Sequence, residues 1–139
     1  MWRTWVPSLA IVAVAVLVLT TGALTPASIA ITVVLLALAW IGSPLVFPRH
    51  VDDATARREA ADTNTPVIYW RPGCMFCMRL RASLLRRADQ AIWVNIWRDP
   101  AAAERVREVN DGNETVPTVF VAGSAHSNPA PEWMRAQLR

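Results

Sequence analysis

The stretch WRPGCMFCMRL, residues 70–80, contains both cysteines of this 139-residue chain. Cys74 and Cys77 stand three positions apart, directly after a Pro-Gly break and at the start of a run with helical periodicity. Positions i and i+3 share one face of a helix, so the two sulfur atoms can meet with little movement of the backbone. The stretch therefore predicts a Cys-x-x-Cys motif at the beginning of a helix.

The two cysteines occupy different positions in this helix, and the difference predicts different chemical roles. Cys74 lies at the helix start, where unpaired N–H groups and the helix dipole stabilise a thiolate, and Arg71 adds a positive charge nearby. Cys77 lies one turn further along, on the stripe that faces the core, and is more shielded. We therefore predict that Cys74 is the attacking nucleophile and that Cys77 resolves the mixed disulfide formed on Cys74.

A Cys-x-x-Cys pair has two other interpretations. It is half of a zinc or iron–sulfur site, which needs about four ligands, or it is a pair of inert thiols. The histidines of the chain are His50 and His126, and no pattern in the sequence brings His50 to the motif. A metal ion or a 2Fe–2S cluster would then require a second chain or an external thiol, so we favour redox chemistry and predict no metal site.

The periodicity after residue 51 predicts a mixed α/β domain. Three β-rich runs and a short fourth are expected as strands over residues 66–70, 91–97, 117–123 and 124–126. Helices are expected over residues 52–61 and 75–88, from Asp99 and Pro100 to a point before Gly112, and from Asn128 and Pro129 to Leu138. After the first helix the order is βαβαββα, in which helical crossovers favour parallel strands and the late pair of strands favours a hairpin.

A second motif is TVPT, residues 115–118, which places Pro117 at the start of the third expected strand. Taken alone, this is a proline tolerated at a strand start with a trans peptide bond, because only about one X-Pro bond in twenty is cis. Pro117 lies some 40 residues after the Cys-x-x-Cys motif, and the two motifs are more informative together than either is alone.

The strand, the Cys-x-x-Cys helix and the later TVP together resemble the glutaredoxin branch of the thioredoxin fold. The segments CMFCMRLRASL and AAAERVREVNDGNETVPTVFVAG, with the later Asn-Pro pair, are most similar to actinobacterial mycoredoxins. Those are small oxidoreductases that use mycothiol in place of glutathione. The resemblance covers the chain from about residue 66 to the C-terminus and does not include the N-terminal third.

The resemblance implies a thiol–disulfide oxidoreductase with mycothiol as its thiol cosubstrate and with no tightly bound cofactor. It assigns the nucleophile to Cys74 and the resolving thiol to Cys77. It also implies that Arg71, Phe76, Val116 and Pro117 bind the thiol compound, and that the Val116–Pro117 peptide bond is cis.

Two departures from the family pattern affect these expectations. Met75 stands where the family usually has Pro or Gly, and this changes the redox potential in a direction that the sequence does not define. The Gly-Gly-Asp-like clamp of glutathione users is absent, with Gly123 and Ser124 as a partial remnant. Glutathione is therefore a less favoured cosubstrate than mycothiol.

The first third of the chain differs from the rest in composition. Residues 4–48 contain no Asp, Glu, Lys or Arg, and two apolar runs of 20 and 19 residues cover 5–24 and 29–47. At 1.5 Å per residue each run spans roughly 30 Å, the thickness of the hydrocarbon core of a bilayer. A cleaved signal peptide leaves one run unexplained, and core helices would have a polar face. We predict a hairpin of two transmembrane helices over residues 1–48, a linker helix over 49–65 and the redox domain over 66–139.

The distribution of arginines predicts the orientation of this hairpin. Arg3 precedes it, Arg49, Arg57 and Arg58 follow it, and the turn at residues 25–28 carries no charge. By the positive-inside rule both ends face the cytoplasm, so we expect a multi-pass protein of the inner membrane with its cysteines in a reducing compartment.

The expected partners follow from the redox chemistry and the membrane prediction. They are mycothiolated or disulfide-containing proteins, a separate NADPH-dependent disulfide reductase, and membrane lipid. No basic stripe with interleaved aromatic residues is present, so no nucleic acid is expected. Two alternatives stay open: a thioredoxin-like dithiol reductase for a membrane partner, and a carrier in which two chains share a 2Fe–2S cluster.

Overall fold

A computed structural model of the chain describes residues 5–22, 24–41, 43 and 50–138. The chain divides into two compact units, Met1–Phe47 and Pro48–Arg139. Arg3, Arg49 and the last four residues of the second predicted span, 44–47, lie outside the described residues.

The first unit contains two apolar helices, α1 (Val6–Thr21) and α2 (Pro26–Ile41), which pack against each other. Each helix has 16 residues, which corresponds to a length of about 24 Å. Both are shorter than the predicted runs of 20 and 19 residues. In the described parts of the chain, no helix combines the length and the apolar character needed to cross a membrane.

The predicted turn at residues 25–28 is instead largely the start of α2. The Thr25 N–H donates to Ser28 Oγ at 3.0 Å, and the Ser28 N–H donates to Thr25 Oγ1 at 3.2 Å. This reciprocal pair has the pattern of a capping box, and Pro26 suits the first position of a helix. The helix therefore begins three residues before the expected start at Ile29.

Small side chains are buried between α1 and α2, and large apolar side chains point outward. The buried helical residues are Ser8, Ala15, Thr32 and Ala39. Leu17 of α1 and Val33 of α2 are 57% and 60% exposed. A helical hairpin that folds in water buries its large apolar side chains and exposes its small and polar ones, so this distribution is the reverse. Contact through small residues is typical of helices that pack in lipid.

The second unit is built on a four-stranded sheet with strand order β2-β1-β3-β4. The strands are β1 (Val67–Trp70), β2 (Ile92–Asn95), β3 (Thr118–Val121) and β4 (Ser124–Ser127). β2 is parallel to β1, whereas β3 is antiparallel to β1 and β4 is antiparallel to β3. The helices are α3 (Asp53–Thr63), α4 (Met75–Leu84), α5 (Pro100–Glu108) and α6 (Pro131–Gln137). The predicted βαβαββα order after the first helix is confirmed.

Helix α4 ends earlier than the predicted run over residues 75–88. Leu85 has φ +50° and ψ −128°, which lie outside the helical region, and the chain continues as a 3-10 helix, Leu85–Gln90. The predicted apolar stripe is nevertheless buried, with Cys77, Leu80 and Leu84 on α4 and Ala88 on the 3-10 helix. The hydrophobic pattern thus predicts which side chains face the core, but not where the helix changes type.

The start of α5 is as predicted, and the start of α6 is not. Asp99 Oδ1 accepts the N–H of Ala101 at 3.0 Å, and Pro100 holds the first helical position. Helix α6 begins at Pro131 without a side-chain cap. Asn128 lies before it with φ +45° and donates its N–H to the Pro117 carbonyl at 2.7 Å. Asn128 therefore bonds the residue that precedes β3 and does not cap the helix.

Helix α3 is tied to the sheet and to α5 through one buried carboxylate. Asp53 is 5% exposed. Its Oδ1 accepts the Tyr69 hydroxyl at 2.5 Å, and its backbone N–H donates to Asp99 Oδ2 at 2.6 Å. Burial, and then this hydrogen bond to Asp53, raises the pKa of Tyr69. The segment predicted as a linker helix is therefore packed onto β1, one of the two inner strands of the sheet.

Candidate active site

The antiparallel pairing of β1 with β3 brings two distant segments of the chain together. β1 ends at Trp70 and leads to Cys74, whereas β3 begins directly after Pro117, and Tyr69 pairs with Thr118 in the sheet. The last residue of β1 and the first residue of β3 therefore lie at the same end of the sheet. There the Cys74 thiol donates to the Val116 carbonyl at 3.3 Å, although the two residues are 42 positions apart.

Cys74 occupies the N-cap position of α4. Its Sγ accepts the backbone N–H of Cys77 at 3.2 Å. A hydrogen bond from the Cys77 side chain lowers the pKa of Cys74 to about 6, against partial burial, with smaller contributions from the backbone N–H groups of Cys77 and Phe76 and from the charge of Arg71. Because the thiolate is the nucleophilic form, the half-buried Cys74 is reactive at neutral pH.

Cys77 has the opposite environment. It is completely buried, and both cysteines are free thiols. Its hydrogen bond to Cys74, burial and the nearby Cys74 charge all raise its pKa. Cys77 therefore stays protonated while Cys74 ionises, which is the asymmetry that the predicted roles of nucleophile and resolving thiol require.

The other predicted site residues surround Cys74 in different ways. Arg71 is partly buried and contributes to the low pKa of Cys74. Phe76, which lies between the two cysteines of the motif, is 58% exposed. Val116 and Pro117 are buried, and the peptide bond between them is cis, as the resemblance implied. The structure thus brings Arg71 and Val116 to Cys74 and leaves the Phe76 ring open to a bound molecule.

Gly123, predicted as a remnant of a cofactor clamp, lies elsewhere. It has φ +83° and connects β3 to β4, at the opposite end of β3 from Pro117. This partial remnant of the clamp therefore lies away from Cys74. Asn128 is the residue that bonds the Pro117 carbonyl, next to the Val116–Pro117 bond.

The histidines have structural contacts of their own. His50 Nδ1 accepts the Asn95 N–H at 3.2 Å, and the His126 ring packs against Trp133 with ring centroids 4.3 Å apart. Across residues 5–22, 24–41, 43 and 50–138, no group of three or more His, Cys, Asp or Glu side chains is arranged to hold a metal ion.

Comparison with known proteins agrees with this geometry. The glutaredoxin family model matches residues 67–126. Two Mycobacterium tuberculosis proteins named "putative glutaredoxin", from strains CDC 1551 and H37Rv, are each 42% identical to this chain over 72 residues, which are 51% of this chain and 86% of each relative. The chain belongs to the glutaredoxin family. Its glutaredoxin domain has the thioredoxin-like mixed sheet and is a thiol–disulfide oxidoreductase.

Sequence reasoning missed a polar network behind the Val116–Pro117 loop of the glutaredoxin domain. Asn110 Nδ2 donates to the Val106 carbonyl at 2.7 Å and to Thr118 Oγ1 at 3.1 Å. Thr118 Oγ1 in turn donates to the Thr115 carbonyl at 2.7 Å. The Ser127 hydroxyl donates to Asn110 Oδ1.

This network ties the end of α5, the start of β3 and the end of β4 to the loop whose carbonyl faces Cys74. Thr118 is completely buried, so its hydroxyl depends on these partners. In the sequence, Asn110 is visible only as a polar residue before Gly112 at a helix end. The long-range contacts that give it a role become visible only in the fold.

We expect alkylation of Cys74 by iodoacetamide to rise with pH around a midpoint near 6, because that is the pKa of its thiol. Cys77→Ala removes the largest stabilising hydrogen bond and should raise this midpoint, whereas Arg71→Gln should raise it less. Arg79→Gln, on the same helix, is the matched control and should leave it unchanged. A wild-type midpoint near about 8.5, the value of free cysteine, would contradict the geometry.

We also expect Asn110→Ala to lower the rate of Cys74 with a low-molecular-weight disulfide by about tenfold, because the loop that holds Val116 and Pro117 beside Cys74 loses one of its supports. Stopped-flow kinetics at saturating pH measures this rate, and circular dichroism verifies that the domain is folded. Asn113→Ala is the control, since its amide contacts only the exposed turn carbonyls of Asn110 and Asp111. Equal rates in wild type and Asn110→Ala would show that Asn110 has no positioning role.

Proposed function

We propose that this chain reduces mixed disulfides between proteins and a low-molecular-weight thiol, and that the thiol is mycothiol. The observation that carries the proposal is the half-buried Cys74 at the start of α4, whose sulfur accepts the backbone N–H of the completely buried Cys77. The pKa of Cys74 is lowered and that of Cys77 is raised, which supports the same assignment. The choice of mycothiol is supported by the likeness of the segments around both motifs to mycoredoxins and by the lack of a Gly-Gly-Asp-like clamp in the sequence.

The reaction begins with the Cys74 thiolate. It attacks the mycothiol sulfur of the mixed disulfide, a new S–S bond forms to Cys74, and the old S–S bond breaks. The protein substrate leaves as a thiolate and takes a proton from solvent. Cys74 is then S-mycothiolated, and the substrate is reduced by two electrons.

Regeneration of Cys74 has two routes. A second mycothiol thiolate attacks the mycothiol sulfur on Cys74, which releases the Cys74 thiolate and oxidised mycothiol. Alternatively, Cys77 loses its proton, attacks Cys74 and releases mycothiol, leaving an intramolecular disulfide. In both routes the electrons come ultimately from NADPH through a separate disulfide reductase.

The residues around Cys74 have distinct roles in this proposal. Arg71 stabilises the thiolate and donates hydrogen bonds to the hydroxyl groups of the bound thiol. The exposed ring of Phe76 supplies an apolar surface for that molecule. Val116 offers its backbone beside Cys74, and the buried Pro117 holds the backbone in place.

A thioredoxin-like dithiol mechanism is the second candidate, and one observation favours it. The Cys77 backbone N–H bonds the Cys74 sulfur, and the interaction of the two thiols shifts both pKa values, so the resolving thiol lies close to the nucleophile. Such an enzyme would require both cysteines and would be indifferent to mycothiol.

We expect Cys74→Ser to abolish the reduction of a mycothiolated peptide and Cys77→Ser to retain most of it, since the monothiol route needs one thiol. The assay is mass spectrometry of the released peptide with mycothiol present, and the same peptide carrying glutathione is the matched control substrate. Loss of activity in both variants would favour the dithiol mechanism. Activity that survives in Cys74→Ser would overturn the assignment of the nucleophile.

We further infer that the first unit attaches the chain to the inner membrane as a multi-pass hairpin, with the glutaredoxin domain on the cytoplasmic side. The support is the lack of charge over residues 4–48 and the exposure of large apolar side chains around α1 and α2. The small buried residues of the helix pair suit contact in lipid. Membrane lipid and oxidised proteins near the membrane are the partners that this placement implies.

We expect the chain to stay in the membrane pellet after a carbonate wash. Leu17→Arg should lower the bound fraction, because it places a charge on an exposed apolar surface, and Leu17→Ile is the control. A membrane-impermeant maleimide should label Cys74 in lysed cells and not in intact spheroplasts. Recovery of the wild type in the wash, or labelling of intact spheroplasts, would contradict the placement.

A further inference from the structure

A cavity of about 410 Å³ lies in the glutaredoxin domain, at the end of strands β1 and β3 that is opposite Cys74. Its walls come from α3, the start of β1, α5 and the turn between β3 and β4. The described lining residues are Arg57, Ala60, Ala61, Asn64, Thr65, Val67, Tyr69, Arg105, Phe120, Ala122 and Gly123. The mechanism proposed for Cys74 uses none of them.

The charges in this cavity are one-sided. Two of its described lining residues are arginines and none is acidic. Asp53 accepts the Tyr69 hydroxyl at 2.5 Å and lies 3.9 Å from Arg57. One carboxylate is therefore paired with one of the two arginines, and the cavity lining has an excess of positive charge.

Arg105 is the less compensated of the two arginines. Its guanidinium carbon lies 4.2 Å from the centroid of the Phe120 ring, over the ring face. Its Nε is buried and has no hydrogen-bond partner among the residues that the structure describes. A buried donor without a partner is unfavourable, and a ligand that accepts hydrogen bonds from this guanidinium offsets that deficit.

The rest of the wall is apolar. Val67, Ala60 and the Phe120 ring line the cavity beside the guanidinium, and the guanidinium covers one face of that ring. A ligand that fits must therefore combine an anionic group for Arg105 with a small apolar body.

We propose that this cavity binds a small carboxylate with an apolar body, with its carboxylate on the Arg105 guanidinium and its apolar body against Ala60 and Val67. This site is separate from the thiol chemistry at Cys74. It gives the glutaredoxin domain a second ligand of a different chemical class from its thiol and disulfide substrates.

Titration of the full chain with benzoate, followed by NMR of isotope-labelled arginine side chains and backbone amides, tests the proposal. The signals of Arg105 Nε, Val67 and Gly123 should shift together. Benzamide, which lacks the charge, and acetate, which lacks the ring, should each bind at least about tenfold more weakly. Equal affinity of benzoate and either analogue would overturn the proposal.

Variants locate the binding in the cavity. Arg105→Gln should weaken benzoate binding by at least about tenfold, and Arg58→Gln, on the outer side of α3, should leave it unchanged. Ala60→Leu fills the cavity without a change of charge and should abolish binding, which keeps the test valid if Arg105→Gln fails to fold. Unchanged affinity in Ala60→Leu, or shifts spread evenly over all arginines, would refute the site.

Discussion

Cys77 donates its backbone N–H to the sulfur of Cys74 at 3.2 Å, and its thiol interacts with the same sulfur. The same contact that lowers the pKa of Cys74 raises that of Cys77, so one interaction sets both the nucleophile and its protonated partner. It also links redox chemistry to folding. Because the folded pKa of about 6 lies below the unfolded value, the Cys74 thiolate stabilises the fold fully above about pH 8.5, and this contribution is lost as the pH falls through 6.

The sheet supplies the frame in which this contact is useful. The antiparallel pairing of β1 with β3 puts the Val116 carbonyl opposite Cys74, and Asn110 and Thr118 hold the loop from behind. The opposite end of the same two strands contributes to the cavity that contains Arg105. A short pair of strands thus carries redox chemistry at one end and a cationic pocket at the other.

Features encoded by neighbouring residues were predictable from the sequence, and features that depend on distant contacts were not. The motif at a helix start, the order of elements and the Asp99 cap follow from local spacing, and the structure has all of them. The role of Asn110 and the placement of Asn128 depend on side chains that meet only after folding. Leu85 ends α4 without a Gly or Pro signal, and apolar composition alone did not define the ends of α1 and α2.

The carboxylate of Asp53 has a consequence for the smallest piece of this chain that can fold independently. Family likeness begins at the first strand, yet the Tyr69 hydroxyl and the Asp99 carboxylate are completed by a residue of α3. Excision at residue 66 would leave the buried Tyr69 hydroxyl without its partner, at a cost of about 1–3 kcal/mol. It would also remove one hydrogen bond from the half-buried Asp99 carboxylate, which keeps the N–H of Ala101. The folded domain therefore extends upstream of the first strand to include α3, and the helix after the apolar segment is an integral part of the enzyme.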